Sequence, residues 1–559
     1  MVLYPRPCVK WLVLFGLEWG EGRLTEKKQI LKSASIITLV TIASRILGYV
    51  RDQRITLLLG ATVASDSFYL AFRIPNLLRR LVGEGSMTAS FIPVFTTYLA
   101  EKTEEEVWEF ANRVFWTLAL TLAVLTILGM VFSQQLIQAF TVFGGEQRHW
   151  QLAVDLNRIL FPYVFFVGLA ALAMAMLNCF HVFGLPAATP ILLNVAIIAF
   201  SVQAVWEHFE HKALALAVGV LVGGSLQFLV QVPSLVKRGM NFRFGVSFTH
   251  PGVRAVGRLM VPGFFGIGIY QVNLLVDSVF ATHPKMPEGS VTALYLADRV
   301  MELVLGGYAI AVATAILPMM SRQAAARDFD ALKKTFSFSL RIVSFITIPA
   351  MVGLVVLREP IINVLFEHGR FVAESTELTA RALLYYALGL PAFAAIKLIV
   401  PAFYSAQDTQ TPVRIALYAL FMNAVLNYIF LKSFFQTFYN AGPALATSLA
   451  AYFNFFLLFF LFRRRFGRVG TLEILVSLFK VSLASVVMGL LCVVMLRYSG
   501  FESFQGLFSR ISVFTLMIAA ATAVFLGTAW YLRCSELEDV YGIVMRKDRP
   551  APGTPPTAG

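Results

Sequence analysis

Residues 114–132 read VFWTLALTLAVLTILGMVF, a run without a charged side chain. This run belongs to an apolar window at 110–132 that is long enough to cross the roughly 30 Å hydrocarbon layer of a bilayer as a helix. Similar windows recur along all 559 residues, of which 58% are hydrophobic and only 14% charged. Soluble domains have about 25% charged residues. Because lipid offers no partner to backbone amides, the spans must be helical. The sequence therefore predicts an all-α polytopic membrane protein.

The apolar windows predict fourteen transmembrane helices. They lie at 34–53, 62–82, 110–132, 157–180, 187–206, 213–236, 257–281, 300–320, 337–357, 381–401, 413–432, 443–462, 472–496 and 508–532. Proline weakens the pattern in the second, fourth and tenth windows, at Pro75, Pro162 and Pro391. The mean hydropathy of +0.73 agrees with a chain that is mostly embedded in lipid.

A faint internal repeat divides the chain. Residues 69–73 (YLAFR) return at 295–299 (YLADR), and Thr189-Pro190 returns as Thr411-Pro412. Six predicted spans separate the copies, so both copies have the same orientation, as in parallel repeats related by an axis along the membrane normal. This predicts two six-helix lobes around a central cavity, with the substrate between them.

The domain boundaries follow from this repeat. We expect an N-terminal extension at 1–29, an N-lobe with helices 1–6 at 30–245, a C-lobe with helices 7–12 at 250–465, helices 13 and 14 with a lipid-tail groove at 470–535, and a cytoplasmic tail at 536–559.

Lysine and arginine concentrate in alternate loops, for example at Lys237-Arg238 and at 463–465. This bias predicts that both termini are cytoplasmic. The formal net charge of +14 is then mainly a topology signal, and no soluble basic domain is present to bind nucleic acid.

The four cysteines (Cys8, Cys179, Cys492 and Cys534) show no paired spacing, so neither a disulfide framework nor a metal site is expected.

Ionisable side chains inside or beside the spans are the first candidate site. They are Arg45, Arg51, Asp52, Asp66, Arg73, Arg79, Arg80 and Glu84 near the first two spans, and Asp298, Arg299 and Glu302 near the eighth. An arginine at the bilayer centre costs about 2.5–3.5 kcal/mol, so such groups usually face a cavity or a partner. Gathered arginines would attract a phosphate-bearing anion. Two structural alternatives stay open: Arg79 and Arg80 as topology determinants, and Arg51 with Asp52 as a helix cap.

A second, polar constellation lies in the C-lobe. Asp277 falls in the seventh span, Asn423 and Asn427 share one face of the eleventh, and Thr447 lies in the twelfth. Oxygen ligands of this kind can hold Na⁺ or relay protons, so this is a possible cation site. Hydrogen bonds that hold helices together explain the same residues equally well.

Enzymatic motifs are missing. The sequence has no phosphate-binding G-x-x-x-x-G-K-[ST] loop and no H-E-x-x-H zinc motif. We therefore expect a transporter rather than an enzyme, without a cofactor other than a coupling ion, Na⁺ or H⁺.

Three stretches of the chain carry recognisable motifs. They are residues 44–52 (SRILGYVRD), residues 73–80 (RIPNLLRR), and Ala297-Asp298-Arg299 followed by Glu302. Together they resemble the MurJ/MviN family of lipid II flippases, with its S-R-x-L-G-x-x-R-D, its K-x-P-N-L-L-R-R and its eighth-helix motif. The resemblance covers about 30–530, with mild departures such as Arg73 at a position where lysine is usual.

The resemblance implies a fold and a function. The fold is that of the multidrug/oligosaccharidyl-lipid/polysaccharide exporter superfamily, with fourteen helices in two lobes. The function is alternating-access transfer of the undecaprenyl-pyrophosphate-linked disaccharide-pentapeptide, lipid II, from the cytoplasmic to the periplasmic leaflet of the bacterial inner membrane, driven by membrane potential, an ion gradient or both. The resemblance places substrate-binding arginines at Arg45, Arg51, Arg79 and Arg299, with acidic partners at Asp52, Asp66, Glu84 and Glu302.

Rival functions and partners remain. An exporter of drugs or polysaccharide-linked lipids would share the architecture, and a non-transporting scaffold for cell-wall synthesis is a further alternative. We expect a monomer among membrane lipids, and an association with the cell-wall synthesis machinery is compatible with this function.

Overall fold

The computed structural model describes residues 26–81, 87–141, 150–501 and 506–544. Most residues in these ranges are helical, and no β-strand occurs in them. The predicted N-terminal extension is described only from residue 26, where it already forms part of the first helix, and the predicted tail only as far as residue 544.

The helices are named here in chain order. They are α1 (Glu26–Leu59), α2 (Val63–Leu81), α3 (Met87–Glu101), α4 (Glu104–Val131), α5 (Ser133–Phe140), α6 (Gln151–Leu160), α7 (Pro162–Cys179), α8 (Gly184–Phe200), α9 (Gln203–Trp206), α10 (Lys212–Leu229), α11 (Val232–Val236), α12 (Pro251–Ala281), α13 (Ser290–Ala325), α14 (Phe329–Val356), α15 (Arg358–Phe366), α16 (Ala373–Ser405), α17 (Gln410–Ser433), α18 (Phe435–Phe438), α19 (Gly442–Phe466), α20 (Thr471–Ser499), α21 (Leu507–Tyr531) and α22 (Ser535–Val544).

Nine stretches of the described chain are long and apolar enough to cross a membrane as helices. They are Glu104–Val131, Gln151–Cys179, Lys212–Val236, Phe329–Val356, Ala373–Ser405, Gln410–Ser433, Phe435–Phe466, Thr471–Ser499 and Phe508–Tyr531. The other five predicted spans correspond to α1, α2, α8, α12 and α13, and all five helices contribute residues to the central cavity. The chain is thus a multi-pass helical membrane protein, and the count of fourteen spans stays a prediction.

The three prolines act differently in the helices that they interrupt. Pro75 and Pro391 lie inside α2 and α16, which continue through them. Pro162 instead begins α7 directly after the end of α6. Proline is tolerated at the first position of a helix because its missing N–H would have no intrahelical partner there.

Helix bounds repeat at the offset seen in the sequence. Helix α4 begins at Glu104 and α14 at Phe329, 225 residues later; α8 begins at Gly184 and α17 at Gln410, 226 residues later. Helix α13 occupies the place of α2 and α3 together. These offsets support two related lobes, whose boundaries at 30–245 and 250–465 remain a prediction.

The segment predicted as a cytoplasmic tail begins with a packed helix. Helix α22 contacts α14 and α21, and the side chain of Glu536 is only 2% exposed. Its Oε1 accepts a hydrogen bond from Nη1 of Arg341 on α14, 3.2 Å away. A buried carboxylate needs such a partner, which fixes the helix against the C-terminal half of the chain.

We expect Glu536→Ala to lower the free energy of unfolding by about 3 kcal/mol, because it leaves the half-buried Arg341 without its ion pair. The midpoint of thermal unfolding in detergent measures this. Glu538→Ala, at an exposed position of the same helix, is the matched control and should change the midpoint little. Equal shifts in the two variants would contradict a stabilising role for the Arg341–Glu536 pair.

Candidate functional site

A central cavity of about 1250 Å³ lies between helices from both halves of the chain. Its described lining contains seven basic side chains and three carboxylates. The basic ones are Arg45, Arg51, Arg73, Arg79, Arg80, Arg299 and Lys397, and the acidic ones are Asp52, Asp298 and Glu302. This volume exceeds that of pockets for drug-sized ligands, and the lining has an excess of positive charge.

Two arginines share one carboxylate at the centre of this cavity. Arg51 on α1 is buried and donates from Nε and Nη2 to Oδ1 of Asp52, at 2.9 and 2.6 Å. The other oxygen of Asp52 lies 3.4 Å from Nε of Arg299 on α13. Asp52 therefore links the two halves of the chain and holds two guanidinium groups with one negative charge. Arg51 and Arg299 are called the bridged arginine pair below.

A side chain that the sequence did not indicate supports the bridged arginine pair. Asn194 on α8 accepts a hydrogen bond from Nη1 of Arg51 at 3.1 Å. Its own amide donates to the backbone carbonyl oxygen of Ser44 at 3.1 Å. In the sequence, Asn194 is marked only as a single asparagine within the apolar run of α8. Because such residues are frequent in membrane helices, this did not identify it as part of the site.

A second group of charges lies on the neighbouring wall. Glu302 accepts from Nη1 of Arg299 at 3.1 Å, and its other oxygen lies 3.7 Å from Nη1 of Arg80. Asp298 is buried, and its Oδ1 has no hydrogen-bond partner among the described residues. Lys397 on α16 lines the same region, and the sequence analysis did not select it. Its signal was present, since it is the only charged residue between Arg381 and Asp408.

The three remaining predicted arginines also line the cavity. Arg45 is exposed to it, with Nη2 3.4 Å from the carbonyl oxygen of Gly306 on α13. Arg73 donates to the Leu274 carbonyl and the Ser278 hydroxyl on α12, so it also connects the two halves. Arg79 donates from Nε to Oδ1 of Asn76 at 2.9 Å. The predicted partner Glu84 lies outside the described residues.

Asp66 was predicted as a cavity or gating partner, and the structure places it outside the cavity lining. Its Oδ2 accepts from the backbone N–H of Gly289, and its Oδ1 from that of Thr292, both at 2.9 Å. The first N–H groups of a helix have no intrahelical partner, so they attract a carboxylate. Asp66 on α2 thus caps α13 of the other half of the chain.

The two halves touch closely around this cap. Ser65 Oγ lies 2.9 Å from Thr292 Oγ1, and the rings of Tyr69 and Tyr295, equivalent in the repeat, stack with centroids 4.1 Å apart. Gly289 has φ +82°, and a Cβ there would lie 2.5 Å from the carbonyl oxygen of Ala61. The cavity is therefore sealed here, at the end where α1 finishes and α2 begins. We call this contact between α2 and α13 the closed end.

The four predicted residues of the polar constellation meet away from the cavity. Oδ1 of Asp277 accepts from Nδ2 of Asn423 at 3.1 Å and of Asn427 at 3.0 Å, and Oδ2 accepts from Oγ1 of Thr447 at 2.5 Å. Tyr386, not selected from the sequence, adds a hydroxyl 3.5 Å from Oδ2. One buried carboxylate with neutral oxygens suits a monovalent cation, and the same bonds also join α12, α17 and α19.

The fold and the cavity define the class of protein: a polytopic helical transporter whose wide, basic chamber lies between two halves of the chain. A family model described as lipid II flippase MurJ matches residues 55–518. The chain belongs to this family.

Relatives and solved structures agree with that assignment. A probable lipid II flippase MurJ from Vibrio cholerae is 38% identical over 448 residues, which cover 78% of this chain and 83% of the relative. A solved lipid II flippase MurJ in an inward closed conformation is 27% identical and superimposes with a TM-score of 0.72 over 91% of this chain and 99% of its own. An inward-facing multidrug resistance transporter of the MOP superfamily, 14% identical, shares the fold with a TM-score of 0.63, over 77% of this chain and 98% of its own.

Proposed function

We propose that this chain transfers lipid II from the cytoplasmic to the periplasmic leaflet of the bacterial inner membrane, with both termini in the cytoplasm. The bridged arginine pair carries this proposal. Arg51 and Arg299 come from different halves of the chain and meet on Asp52 inside a chamber large enough for a glycopeptide headgroup. Guanidinium groups bind phosphate oxygens through paired hydrogen bonds, and a diphosphate is the part of lipid II that such a pair recognises.

Asp52 has a definite task in the empty transporter. Without a carboxylate, two guanidinium groups so close together would repel each other in a medium of low dielectric constant. Asp52 compensates one of the two charges, and Glu302, which contacts both Arg299 and Arg80, compensates the other only in part, so the pair still attracts an incoming anion. The diphosphate then binds to the face of the pair that Asp52 does not occupy. The undecaprenyl tail stays in lipid, in a groove that we assign to the side of α20 and α21.

Alternating access follows from the placement of the closed end. The described contacts between Asp66, Gly289 and Thr292 hold α2 against α13 on the side that becomes periplasmic in this orientation. For the cavity to open to the periplasm, the lobes must separate at the closed end and approach each other at the cytoplasmic side. The bound diphosphate then becomes accessible from the periplasm and no longer from the cytoplasm. The inside-negative potential assists outward movement. Two negative charges crossing the full field gain about 4–5 kcal/mol per 100 mV.

A coupling ion is part of the proposal. We assign Na⁺ to the Asp277 cluster, with H⁺ as the alternative. Asp277 is a buried carboxylate, and the four side chains that donate hydrogen bonds to it here also carry oxygen atoms that can bind a cation. We expect Na⁺, compared with choline at equal ionic strength, to raise the unfolding midpoint of the purified protein by several degrees. In Asp277→Asn this increase should disappear. Asp155→Asn, an acidic position outside the cavity whose side chain is 45% exposed, is the control and should keep it. If Na⁺ raised the unfolding midpoint of Asp277→Asn as much as that of the unaltered protein, the assignment of Na⁺ to this site would be wrong.

Two other functions fit the architecture less well. A pump for cationic drugs needs carboxylates to dominate its cavity, whereas seven basic residues line this one. A cell-wall scaffold without transport would gain nothing from buried arginines that cost free energy.

Complementation separates these functions. We expect the chain to sustain growth of cells depleted of their own flippase and to move labelled lipid II across proteoliposomes. Growth without lipid II movement in vesicles would indicate the scaffold.

A further inference from the structure

The charges of the cavity exceed what a diphosphate alone can balance. Seven basic side chains and three carboxylates among the described lining leave an excess of four positive charges. A diphosphate joined to a lipid and a sugar carries about two negative charges. Because uncompensated charge is expensive in a low-dielectric chamber, the substrate should bring further anionic groups to it.

Two of the cations lie apart from the bridged arginine pair and have unused hydrogen-bonding capacity. Nε of Arg80 is buried and has no hydrogen-bond partner among the described residues. Within the same part of the chain, Arg80 has one ion pair, from its Nη1 to Glu302, and that pair is long at 3.7 Å. The half-buried Lys397 faces the cavity from α16, and the described part of the chain offers its ammonium group no hydrogen bond or ion pair. Each can therefore accept an anion without first releasing a strong partner.

Resting on the proposed function, we propose that Arg80 and Lys397 form a second anion centre that binds the carboxylate at the end of the stem peptide. The first centre, Arg51 and Arg299, takes the diphosphate. A planar guanidinium and a mobile ammonium suit a carboxylate, which one side chain can meet with paired bonds and the other with a single bond. The transporter then binds two ends of the same headgroup, the diphosphate and the carboxylate of the stem peptide.

Two anion centres can distinguish precursors with a stem peptide from those without one, which a single centre cannot do. Undecaprenyl-linked diphosphates without a peptide would satisfy only the first centre. They would leave Arg80 with only its long ion pair to Glu302 and would bring no anion into hydrogen-bonding distance of Lys397, which disfavours closure around them. The completed precursor would satisfy both centres.

The test compares two substrates that differ in one group. Lipid II with the natural C-terminal carboxylate and lipid II with a C-terminal carboxamide are titrated against the full-length protein in nanodiscs. We expect the carboxylate form to bind about tenfold more tightly, because the carboxamide brings no charge to the two cations. In Lys397→Gln this preference should fall to about threefold, and in the double variant Arg80→Gln/Lys397→Gln the two affinities should become equal within about twofold. Lys397→Arg, which keeps the charge, should retain most of the preference. Lys285→Gln, an exposed lysine outside the cavity, should retain all of it.

The outcomes separate the two proposals. Equal binding of both lipids by the unaltered protein overturns the second anion centre and leaves the flippase proposal intact. A full preference that persists in the double variant Arg80→Gln/Lys397→Gln also overturns it, because another group would then bind the carboxylate. Failure of the unaltered protein to bind either lipid contradicts the proposed function itself. Size-exclusion profiles of the variants identify any that fail to fold.

Discussion

An Arg299→Ala variant is expected to lose lipid II translocation by at least about a hundredfold while remaining in the membrane at normal levels. Arg299 contributes one half of the bridged arginine pair and contacts both Asp52 and Glu302. Its removal takes away half of the diphosphate contact and one of the two basic partners of each carboxylate, so that Asp52 keeps only Arg51 and Glu302 only Arg80. Truncating one member of a buried, hydrogen-bonded charge pair costs about 2–5 kcal/mol, and every 1.4 kcal/mol is a factor of ten.

Initial rates of lipid II movement in proteoliposomes measure this effect. The matched control is Arg381→Ala, which removes an arginine from a surface pair with Glu377 and should leave the rate within about twofold of the unaltered protein. Arg299→Lys keeps the positive charge but loses the planar guanidinium group. Its rate of lipid II movement should therefore lie between those of Arg299→Ala and the unaltered protein. Normal rates in Arg299→Ala would rule out a diphosphate site at this arginine.

The second large effect concerns the closed end. Cysteines replacing both Ser65 and Thr292 are expected to form a disulfide, since the native hydroxyl oxygens are 2.9 Å apart. Oxidation should then stop translocation almost completely, because α2 and α13 can no longer separate. A thiol reductant should restore it. The measurement is the translocation rate before oxidation, after it and after reduction.

Single substitutions provide the control for the disulfide. Ser65→Cys and Thr292→Cys alone should respond to neither oxidant nor reductant, which also shows that the native Cys179, Cys492 and Cys534 do not contribute. Full activity of the double variant with its disulfide demonstrably formed would contradict alternating access through this end of the cavity.

Much of the architecture follows from the sequence because lipid imposes a simple rule. Apolar windows of sufficient length had to be helices, and the window at 110–132 appears as α4 and that at 472–496 within α20. The charged residues of α1 and α13 were equally informative. An arginine in a span needs a cavity or a partner, and the structure gives Arg51 and Arg299 both.

Other features depend on which helices become neighbours, and a linear pattern does not contain that information. Asp66 was predicted as a cavity or gating partner, and it lies outside the cavity lining and caps α13 because the start of that helix lies beside α2. Asn194 supports Arg51 only because α8 packs on α1. The segment after 535 looked like a tail because it is rich in polar residues, and the sequence does not show that Glu536 is buried against Arg341. Lys397 was overlooked because it is isolated in an apolar helix, although that isolation was itself a signal.

The most direct test is an experimental density map of the protein in nanodiscs with lipid II bound. We predict density for the diphosphate between α1 and α13, with its oxygens within hydrogen-bonding distance of the guanidinium groups of both Arg51 and Arg299. A headgroup resolved elsewhere in the cavity, with these two arginines still joined only through Asp52, would contradict the account.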